Sequence, residues 1–526
     1  MRRVLASMLA VTILVVMGGS PAQASPWVNA RWTLGGSGDE QSRLVDVSMS
    51  PNGTVVEAHI ITLLPSGNRA VAMSIRPPGG PPGAEVTLPA GGVPGPITWL
   101  SSAVDNLGYG AVAWDDGGQT LELAVRAPGG DFAIVAGPDQ FPGRYVTPAV
   151  GLAADGTATV AFGVYRATGP IETVGLVARR SPGGTWSTPQ HLESSMIPAG
   201  DDTYVCDFGL AVAPNGHAAI AFVHRPLAGG GAFDATVGER AGATDSFTLH
   251  AVSSSNGYAA PSAAVSSAGA GVGAWRLGDQ VEFVRVPVPT STASASPIDS
   301  PGADAVATGP QTTMGASGEA LVVWSSTDFQ AYWSRIDSLG TASSPLELTF
   351  NAGTILAPDV AADPKGRAFA VARDGSSHLV VFRRSPGKAF GKGTDLGSSD
   401  EQPDTQRVAV DNAGDGVILW SEVPVPITTL TYSPRIRGYD GAAPHIASMT
   451  WPKTLVKGKK GSFSAGAKDV WGPVTVRWEF GDGATAAGPS VTHAYQTSGW
   501  FHATVKVRDA TGLTTNRTVS VHVTPT

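Results

Sequence analysis

The sequence has little cysteine and little charge. Its 526 residues include a single cysteine, Cys206, and only 15% of them are charged. A chain with one thiol cannot form an internal disulfide, so its stability must come from core packing. Cys206 lies in the stretch Tyr-Val-Cys-Asp-Phe at the start of a predicted strand. That setting favours a buried, unreactive thiol over a reactive or intermolecular one.

Amphipathic helical segments are also missing. Beyond the first 20 residues or so, no stretch keeps apolar residues at a spacing of about 3.6. In contrast, the chain contains 66 glycines and 40 prolines. Abundant glycine and proline are typical of many short strands joined by turns. The composition therefore predicts an all-β protein, and the length predicts more than one domain.

The N-terminus has the three parts of a signal peptide. A basic start at Arg2 and Arg3 precedes an apolar run from Val4 to Met17, which is followed by Ala22-Gln23-Ala24. The apolar run has 14 residues, whereas a membrane span needs about 20. We expect cleavage after Ala24, so that residues 1–24 are removed and no transmembrane segment remains. The protein is then secreted and extracellular, either released or held at the cell surface.

The charge is unevenly distributed. The net charge is −8, yet the part from Ile446 onward carries nine Lys and Arg against four Asp and Glu. The acidic remainder argues against nucleic acid as a partner. We found no cofactor motif, and we expect a monomer.

A repeat dominates residues 25–440. A turn that ends in glycine and leads into an apolar strand recurs about every 50 residues; these glycines are Gly53, Gly108, Gly156, Gly216, Gly269, Gly318, Gly366 and Gly414. Six residues after each glycine stand His59, Trp114, Phe162, Phe222, Trp275, Trp324, Ala372 and Trp420. An even offset places these side chains on one face of a strand. The positions between them are also mostly apolar, so the strand is predicted to be buried on both faces.

Strands buried on both faces occur where sheets stack radially, as in the blades of a β-propeller. About 50 residues per unit match one four-stranded blade. We therefore predict an eight-bladed propeller, with seven blades as the alternative. The last unit lacks a fourth strand, and residues 30–34 resemble the fourth strand at 393–396. We expect this N-terminal segment to pair beside residues 428–432 and close the ring, because an open array would leave exposed edges.

The last 80 residues follow a different pattern. Trp478-Glu479-Phe480-Gly481-Asp482-Gly483 precedes His493-Ala494-Tyr495, and both lie between strands of alternating polarity. This segment resembles the polycystic kidney disease (PKD) domain. The resemblance implies an immunoglobulin-like β-sandwich at residues 441–526, of a type common in extracellular spacers and adhesion modules. We expect Asp482 to cap its own turn and not to bind a metal.

No compact catalytic motif or metal-ligand spacing is present, so we predict no metal site. Arg179 to Trp186 partly matches the Asp-box turn of sialidase-like propellers, with Ser181 where Asp belongs. A glycosidase needs two carboxylates about 5–10 Å apart, and Asp116 and Asp202 are candidates for such a pair. Ligand-binding candidates on the long-loop face, opposite the glycine turns, are Asp115, Arg144, Tyr145, Asp201, Tyr204, Arg225 and Asp328.

These observations favour a non-catalytic extracellular protein that binds or adheres to a glycan or a protein through the long-loop face. In this interpretation the PKD-like domain is a spacer or a second contact. Two alternatives stay open: a carbohydrate-active hydrolase or lyase with carboxylates from separate blades, and a structural component of the cell envelope.

Overall fold

The computed structural model describes most of the chain from Trp27 to the C-terminus. The described residues are 27–28, 44–63, 68–89, 97, 99–115, 121–137, 144–166, 172–192, 203–226, 234–252, 260–277, 280–288, 293–298, 309–327, 329–351, 354–376, 378–396, 401–424 and 433–526. They form strands and turns without any helix, and accordingly no helix there could cross a membrane.

Eight four-stranded antiparallel sheets make up the larger part of the described chain, and we number them as blades along the sequence. Blade 1 contains β2 (Val45–Met49), β3 (Val55–Leu63), β4 (Asn68–Arg76) and β5 (Val86–Pro89). Blade 2 contains β6 (Leu100–Val104), β7 (Gly110–Asp115), β8 (Leu121–Arg126) and β9 (Ala133–Val135). Blade 3 contains β10 (Arg144–Leu152), β11 (Ala158–Arg166), β12 (Glu172–Arg180) and β13 (Gln190–His191). Blade 4 contains β14 (Thr203–Val212), β15 (Ala218–Pro226), β16 (Asp234–Arg240) and β17 (Thr248–Ala251).

The remaining four blades repeat this order. Blade 5 contains β18 (Ser262–Val265), β19 (Gly271–Leu277), β20 (Gln280–Val286) and β21 (Ser296–Ile298). Blade 6 contains β22 (Gln311–Met314), β23 (Ala320–Ser325), β24 (Ala331–Ile336) and β25 (Leu346–Glu347). Blade 7 contains β26 (Ile355–Ala362), β27 (Ala368–Asp374), β28 (Leu379–Arg384) and β29 (Thr394–Asp395). Blade 8 contains β30 (Glu401–Val410), β31 (Gly416–Pro424), β32 (Ser433–Tyr439) and β1 (Trp27–Val28).

The blades form a closed ring. The first strand of each blade contacts the first strand of the next, from β2 through β6, β10, β14, β18, β22 and β26 to β30. β30 in turn contacts β2, so the last blade meets the first. The eight first strands therefore surround a central channel, and the predicted all-β propeller fold is confirmed.

The N-terminal strand belongs to the last blade. Trp27 and Val28 of β1 pair with Tyr439 and Gly438 of β32, so that β1 is the outer strand of blade 8. The Trp27 and Tyr439 rings meet edge to face at 4.9 Å. The pairing lies outside the segment that we expected from the sequence, since residues 30–34 and 428–432 are not among those described.

Aromatic side chains at the repeated position fill the spaces between blades. Trp114 and Trp324 are fully buried and Trp275 nearly so. Trp420 differs, because it is only partly buried and its indole nitrogen donates to Glu422 at 2.9 Å. The two exceptions in the register are also buried: Ala372 is packed among apolar residues, whereas His59 bonds the Glu57 carboxylate at 3.0 Å.

Residues beyond Asp440 form a separate β-sandwich. One sheet contains β33 (His445–Thr450), β35 (Gly461–Lys468) and β38 (Ser490–His493). The other contains β34 (Thr454–Val456), β40 (Thr514–Thr524), β39 (Gly499–Arg508), β36 (Thr475–Glu479) and β37 (Thr485–Ala487). Trp478, Phe480 and Tyr495 of the PKD-like motif are buried in its core. Asp482 accepts a hydrogen bond from Ala484 N at 3.0 Å, as expected for a residue that caps its own turn.

The sandwich packs against the glycine-turn face of blades 1 and 8. The indole nitrogen of Trp471 donates to Tyr439 O at 2.8 Å, and Arg76 of blade 1 lies over the Trp471 ring at 4.6 Å. Val470 packs beside Gly53, and its carbonyl accepts a hydrogen bond from Gly79 N at 3.1 Å. The described contacts between the two domains therefore lie on the glycine-turn face.

Candidate functional site

One position of the repeat lines the central channel in every blade. Seven residues before each turn glycine, the first strands contribute the inner ring: Asp46, Ser101, Ala149, Gly209, Ser262, Gln311, Asp359 and Arg407. All eight residues border a single cavity of about 490 Å³ at the centre of the propeller. Because each blade supplies the same register position, the sequence at this position sets the chemistry of the channel wall.

Side chains of the inner ring join neighbouring blades. Asp46 Oδ2 accepts a hydrogen bond from Ser102 N of blade 2 at 2.5 Å, and Ser101 Oγ accepts one from Val150 N of blade 3 at 3.1 Å. Further round the ring, Ser262 Oγ accepts from Thr312 N at 3.0 Å, and Asp359 Oδ2 accepts from Val408 N at 2.8 Å. First strands lie at sheet edges, where amide groups lack strand partners. These side chains satisfy such groups across the blade interfaces.

At Gly209 of blade 4 the inner ring has no side chain, and the backbone itself lies close to blade 5. A Cβ at this position would lie 2.6 Å from Ala263 N of blade 5. The backbones of blades 4 and 5 therefore approach too closely for any other residue at this point.

The charged residues of the inner ring come from three consecutive blades. Asp359 of blade 7, Arg407 of blade 8 and Asp46 of blade 1 form what we call the charged arc. Arg407 Nε lies 3.7 Å from Asp46 Oδ1. Burial raises the pKa of Asp46 to about 6, although the Arg407 charge acts in the opposite direction. Burial likewise raises the pKa of Asp359, again opposed by Arg407.

The opposite side of the channel is apolar. Blades 3 and 4 supply Ala149 and Gly209 to the inner ring, with Phe208 next to them. Trp99 also borders the cavity and is 37% exposed, which makes it one of the few large apolar side chains of the described chain that reach solvent. The channel therefore offers charged and hydrogen-bonding groups on one side and apolar surface on the other, a combination typical of small-ligand sites.

The hydrogen bonds of the charged arc limit its chemistry. One oxygen of Asp46 and one of Asp359 are already committed to backbone amides of the next blade. The second oxygen of Asp46 faces Arg407. Carboxylates held in this way are well placed as fixed hydrogen-bond acceptors for a ligand. Asp46, with a pKa near 6, also has the acidity that acid–base chemistry near neutral pH requires.

The residues singled out from the sequence are only partly described. Asp116, Asp202, Asp201 and Asp328 lie outside the described residues, so neither the carboxylate pair nor two of the ligand candidates can be placed. Arg144, Tyr145, Tyr204 and Arg225 lie in β10, β14 and β15 at strand ends that point away from the glycine turns. Tyr204 and Arg225 are direct cross-strand partners. Their assignment to ligand binding stays a prediction.

Asp115 is buried at the end of β7, where its Oδ1 accepts a hydrogen bond from Trp99 N at 2.8 Å. It thereby holds the backbone of the exposed tryptophan that borders the channel.

The inner ring was not predicted from the sequence. The position seven residues before each turn glycine nevertheless follows from the same repeat register as the aromatic position. The predicted site lay in the loops between strands, whereas the inner ring lies on the first strands, whose alternate residues face the channel.

Two further groups of side chains combine metal-binding residue types, and both are outside the channel. Glu57, His59 and Glu85 lie together at the outer part of blade 1. His59 Nδ1 is within hydrogen-bond distance of Glu57, at 3.0 Å, and His59 Nε2 lies 3.9 Å from Glu85. Asp440, Asp469 and Asp509 form the second group, at the contact between the propeller and the sandwich.

Parts of this chain are similar to a protein family and to several solved structures. The PKD domain family matches residues 441–524. Among solved structures, the chain is similar to an α-L-arabinofuranosidase from Fusarium graminearum, with 12% identity, coverage of 65% of this chain and 92% of the enzyme, and a TM-score of 0.39. A Hadza microbial sialidase has 12% identity, with 76% and 94% coverage and a TM-score of 0.35. The PKD1 domain of Vibrio anguillarum Epp has 21% identity, with 16% and 96% coverage and a TM-score of 0.14. Residues 441–524 of this all-β chain are a PKD domain, preceded by a β-propeller.

Proposed function

We propose that this chain is a secreted, non-catalytic protein that binds an extracellular glycan at the central channel and long-loop face of its propeller. Residues 1–24 are the signal peptide, residues 25–440 the binding domain, and residues 441–526 a PKD domain that acts as a spacer or a second contact. The mature protein begins at Ser25.

The observation that carries the proposal is the composition of the inner ring. The charged arc and Gln311 offer several donors and acceptors at fixed positions, and Trp99 offers an exposed aromatic face nearby. A glycan presents many hydroxyl groups together with apolar ring faces. The hydroxyl groups match the donors and acceptors of the inner ring, and the ring faces match the exposed side chain of Trp99. Because the arc carboxylates are fixed by bonds to neighbouring blades, the site is ordered before the ligand arrives, which lowers the entropic cost of binding.

A carbohydrate-active hydrolase is the second candidate. Asp46 and Asp359 border one cavity, and Asp46 has a pKa of about 6. Two carboxylates on either side of a bound sugar could act as general acid and base.

A panel of polysaccharides and glycans tests the proposal, with retention and the release of reducing sugar measured for the same purified protein. We expect retention without release. Release that disappears in Asp46→Asn or Asp359→Asn would establish the hydrolase instead. Absence of both retention and release across the panel would contradict both candidates. Mass spectrometry of the secreted protein tests export separately, with an N-terminus at Ser25 as the expected result.

A further inference from the structure

A second cavity lies between blades 7 and 8, on the glycine-turn face of the ring. It has a volume of about 360 Å³, and Gly414 of a glycine turn and Gly441 of the connection to the sandwich form part of its wall. Four basic side chains of the described chain line it and no acidic one does; they are Arg367, Arg383, Arg384 and Lys392. This positive lining contrasts with the net charge of −8 of the whole chain. We call this cavity the basic pocket.

Two of the four cations are neutralised within the fold. Arg367 Nε lies 2.5 Å from Asp363 Oδ2, inside the glycine turn of blade 7. Arg384 Nη2 lies 2.6 Å from Glu319 Oε1 of blade 6. These two side chains therefore stabilise the blades and bring little net charge to the basic pocket.

The other two cations have no such partner. Arg383 and Lys392 are both exposed, and neither forms an ion pair with any residue that the structure describes. The backbone holds them close together, because Gly391 N donates to Arg383 O at 2.9 Å and Lys392 follows Gly391 directly. Two unneutralised positive charges therefore border the same cavity.

Arg383 occupies a repeated position whose usual partner is missing here. It lies opposite the third residue after a turn glycine, as Arg179 and Arg285 do in blades 3 and 5. Arg179 Nη1 donates to Ala243 O of blade 4 at 3.0 Å. Arg285 Nη2 donates to Ser338 O of blade 6 at 3.4 Å. In both cases the acceptor lies in the turn between the third and fourth strands of the next blade.

Blade 8 has no such turn, because its third and fourth strands come from different parts of the chain. The third strand, β32, ends at Tyr439 and leads into the sandwich, whereas the fourth strand, β1, comes from the N-terminus. The place that a turn occupies beside Arg179 and Arg285 is therefore open beside Arg383. The basic pocket is thus a consequence of the way in which the ring closes.

Tyr439 adds a hydrogen-bond donor to the pocket. Its hydroxyl oxygen accepts a hydrogen bond from Arg383 Nη1 at 2.7 Å, and the guanidinium lies over its ring at 5.4 Å. The ring is held in place by Phe369 and Trp27, with centroids 4.8 and 4.9 Å away. Because the hydroxyl accepts from a cation, its own proton is polarised toward any acceptor in the pocket.

We propose that the basic pocket binds an anionic ligand through a phosphate or sulfate group, held by Arg383, Lys392 and Tyr439. The planar guanidinium donates paired hydrogen bonds to such oxyanions, and the ammonium adds a second positive charge. Three separate donor groups exceed the two oxygens of a carboxylate, whereas a phosphate or sulfate ester offers three free oxygens. This site is on the opposite face from the long loops, so it is distinct from the proposed glycan site in the channel.

Calorimetry with four matched sugars tests the chemistry of the site. Glucose 6-phosphate, glucose 6-sulfate, glucuronate and glucose differ only in the group at one carbon, and each is titrated into the purified protein at low ionic strength. We expect one saturable site for the phosphate and the sulfate, at least about tenfold weaker binding of glucuronate, and no binding of glucose. Affinity should fall as the salt concentration rises to about 0.15 M.

Inorganic phosphate distinguishes the source of the anion. An affinity equal to that of glucose 6-phosphate would identify the free ion as a sufficient ligand, and a lower affinity would identify a phosphate ester. Either result supports the proposal. Absence of saturable binding of every anion up to about 10 mM would overturn it.

Variants locate the site. Arg383→Gln should weaken binding of glucose 6-phosphate at least about tenfold, and Lys392→Gln and Tyr439→Phe at least about threefold each. The matched controls should bind normally. Arg335→Gln removes an arginine from the equivalent position of blade 6, where Glu319 lies 3.6 Å away, and Lys388→Gln removes an exposed lysine from the neighbouring turn.

Each variant should unfold at nearly the wild-type temperature, because Arg383 and Lys392 are exposed and Tyr439→Phe keeps the packed ring. A lower affinity in a folded variant therefore reports the loss of a ligand contact. Unchanged affinity in Arg383→Gln, or an equal loss in Arg335→Gln, would overturn the assignment of the site to the basic pocket.

Discussion

Arg407 of blade 8 lies 3.7 Å from Asp46 of blade 1, so a charge pair joins the two blades between which the ring closes. Both residues occupy the same position of the repeat and both border the channel. The pair therefore contributes to ring closure and to the proposed ligand site.

The strength of this pair can be measured with a double-mutant cycle. Arg407→Gln, Asp46→Asn and the combination should show a coupling free energy of about 0.5–1 kcal/mol, because the pair is only partly shielded from solvent. Chemical denaturation of the four proteins supplies the values. Additive effects of the two substitutions would show that the charge pair does not stabilise the closed ring.

Asp46 should make stability depend on pH. Burial raises its pKa from 3.8 to about 6 in the folded protein. The folded state then holds the proton more tightly than the unfolded state, so stability falls as the pH rises from about 4 to about 6 and stays lower above that range. Relative to the wild type, Asp46→Asn should therefore gain up to about 3 kcal/mol between pH 4 and pH 7.

Asp337→Asn is the control for this pH dependence. The hydrogen bond from Thr341 N lowers the pKa of the exposed Asp337. A lowered pKa stabilises the folded state above the unfolded pKa, and this contribution is lost as the pH falls. Relative to the wild type, Asp337→Asn should thus lose stability as the pH rises, which is the opposite of the change expected for Asp46→Asn. A pH-independent difference for Asp46→Asn would be inconsistent with a raised pKa.

The packing between blades should depend strongly on its tryptophans. Trp324 is fully buried between blades 5 and 6, and Trp324→Ala should lower the free energy of unfolding by about 3–5 kcal/mol. The exposed Trp500 is the matched control, and Trp500→Ala should change the free energy of unfolding by less than about 0.5 kcal/mol. Comparable effects of the two substitutions in denaturant titrations would refute a packing role for the repeated aromatic position.

The N-terminal strand should stabilise the propeller. Trp27 stacks edge to face on Tyr439, and Arg437 lies over its ring at 6.0 Å. Removal of residues 25–29 exposes the edge of β32 and should lower the free energy of unfolding by about 1–2 kcal/mol, which for a domain of this size is a fall of about 1–2 °C in the thermal unfolding midpoint. Trp27→Phe keeps an aromatic ring at this position and should therefore lose less stability than the deletion. An unchanged midpoint after the deletion would mean that β1 does not contribute to closure.

Much of the fold could be predicted because the repeat is defined by residues that are close together in the sequence. The glycine turns require a positive φ, as at Gly216 with 86°, and the aromatic residues six positions later fix one face of the following strand. The N-terminal segment was predicted to complete the last blade, and β1 lies in that blade through Trp27 and Val28. The predicted pairing of residues 30–34 beside 428–432 lies outside the described residues.

The functional site was harder to predict because its residues come from separate blades. Asp46 and Arg407 are 361 positions apart in the sequence and meet only after the ring closes. Both residues nevertheless stand seven positions before a turn glycine, and this spacing can be recognised in the sequence.

The central claim is that the channel face binds a glycan without cleaving it, and Trp99 offers the most direct test. The equilibrium affinity for a glycan retained in the panel should be measured for the wild type, Trp99→Ala and Trp500→Ala. Trp99 borders the channel, whereas Trp500 is exposed on the PKD domain, so each substitution removes a solvent-exposed ring from a different surface. The account predicts an affinity at least about tenfold lower for Trp99→Ala, an unchanged affinity for Trp500→Ala, and no release of reducing sugar from any of the three. Equal affinities for the wild type and Trp99→Ala, or sugar release by the wild type, would contradict it.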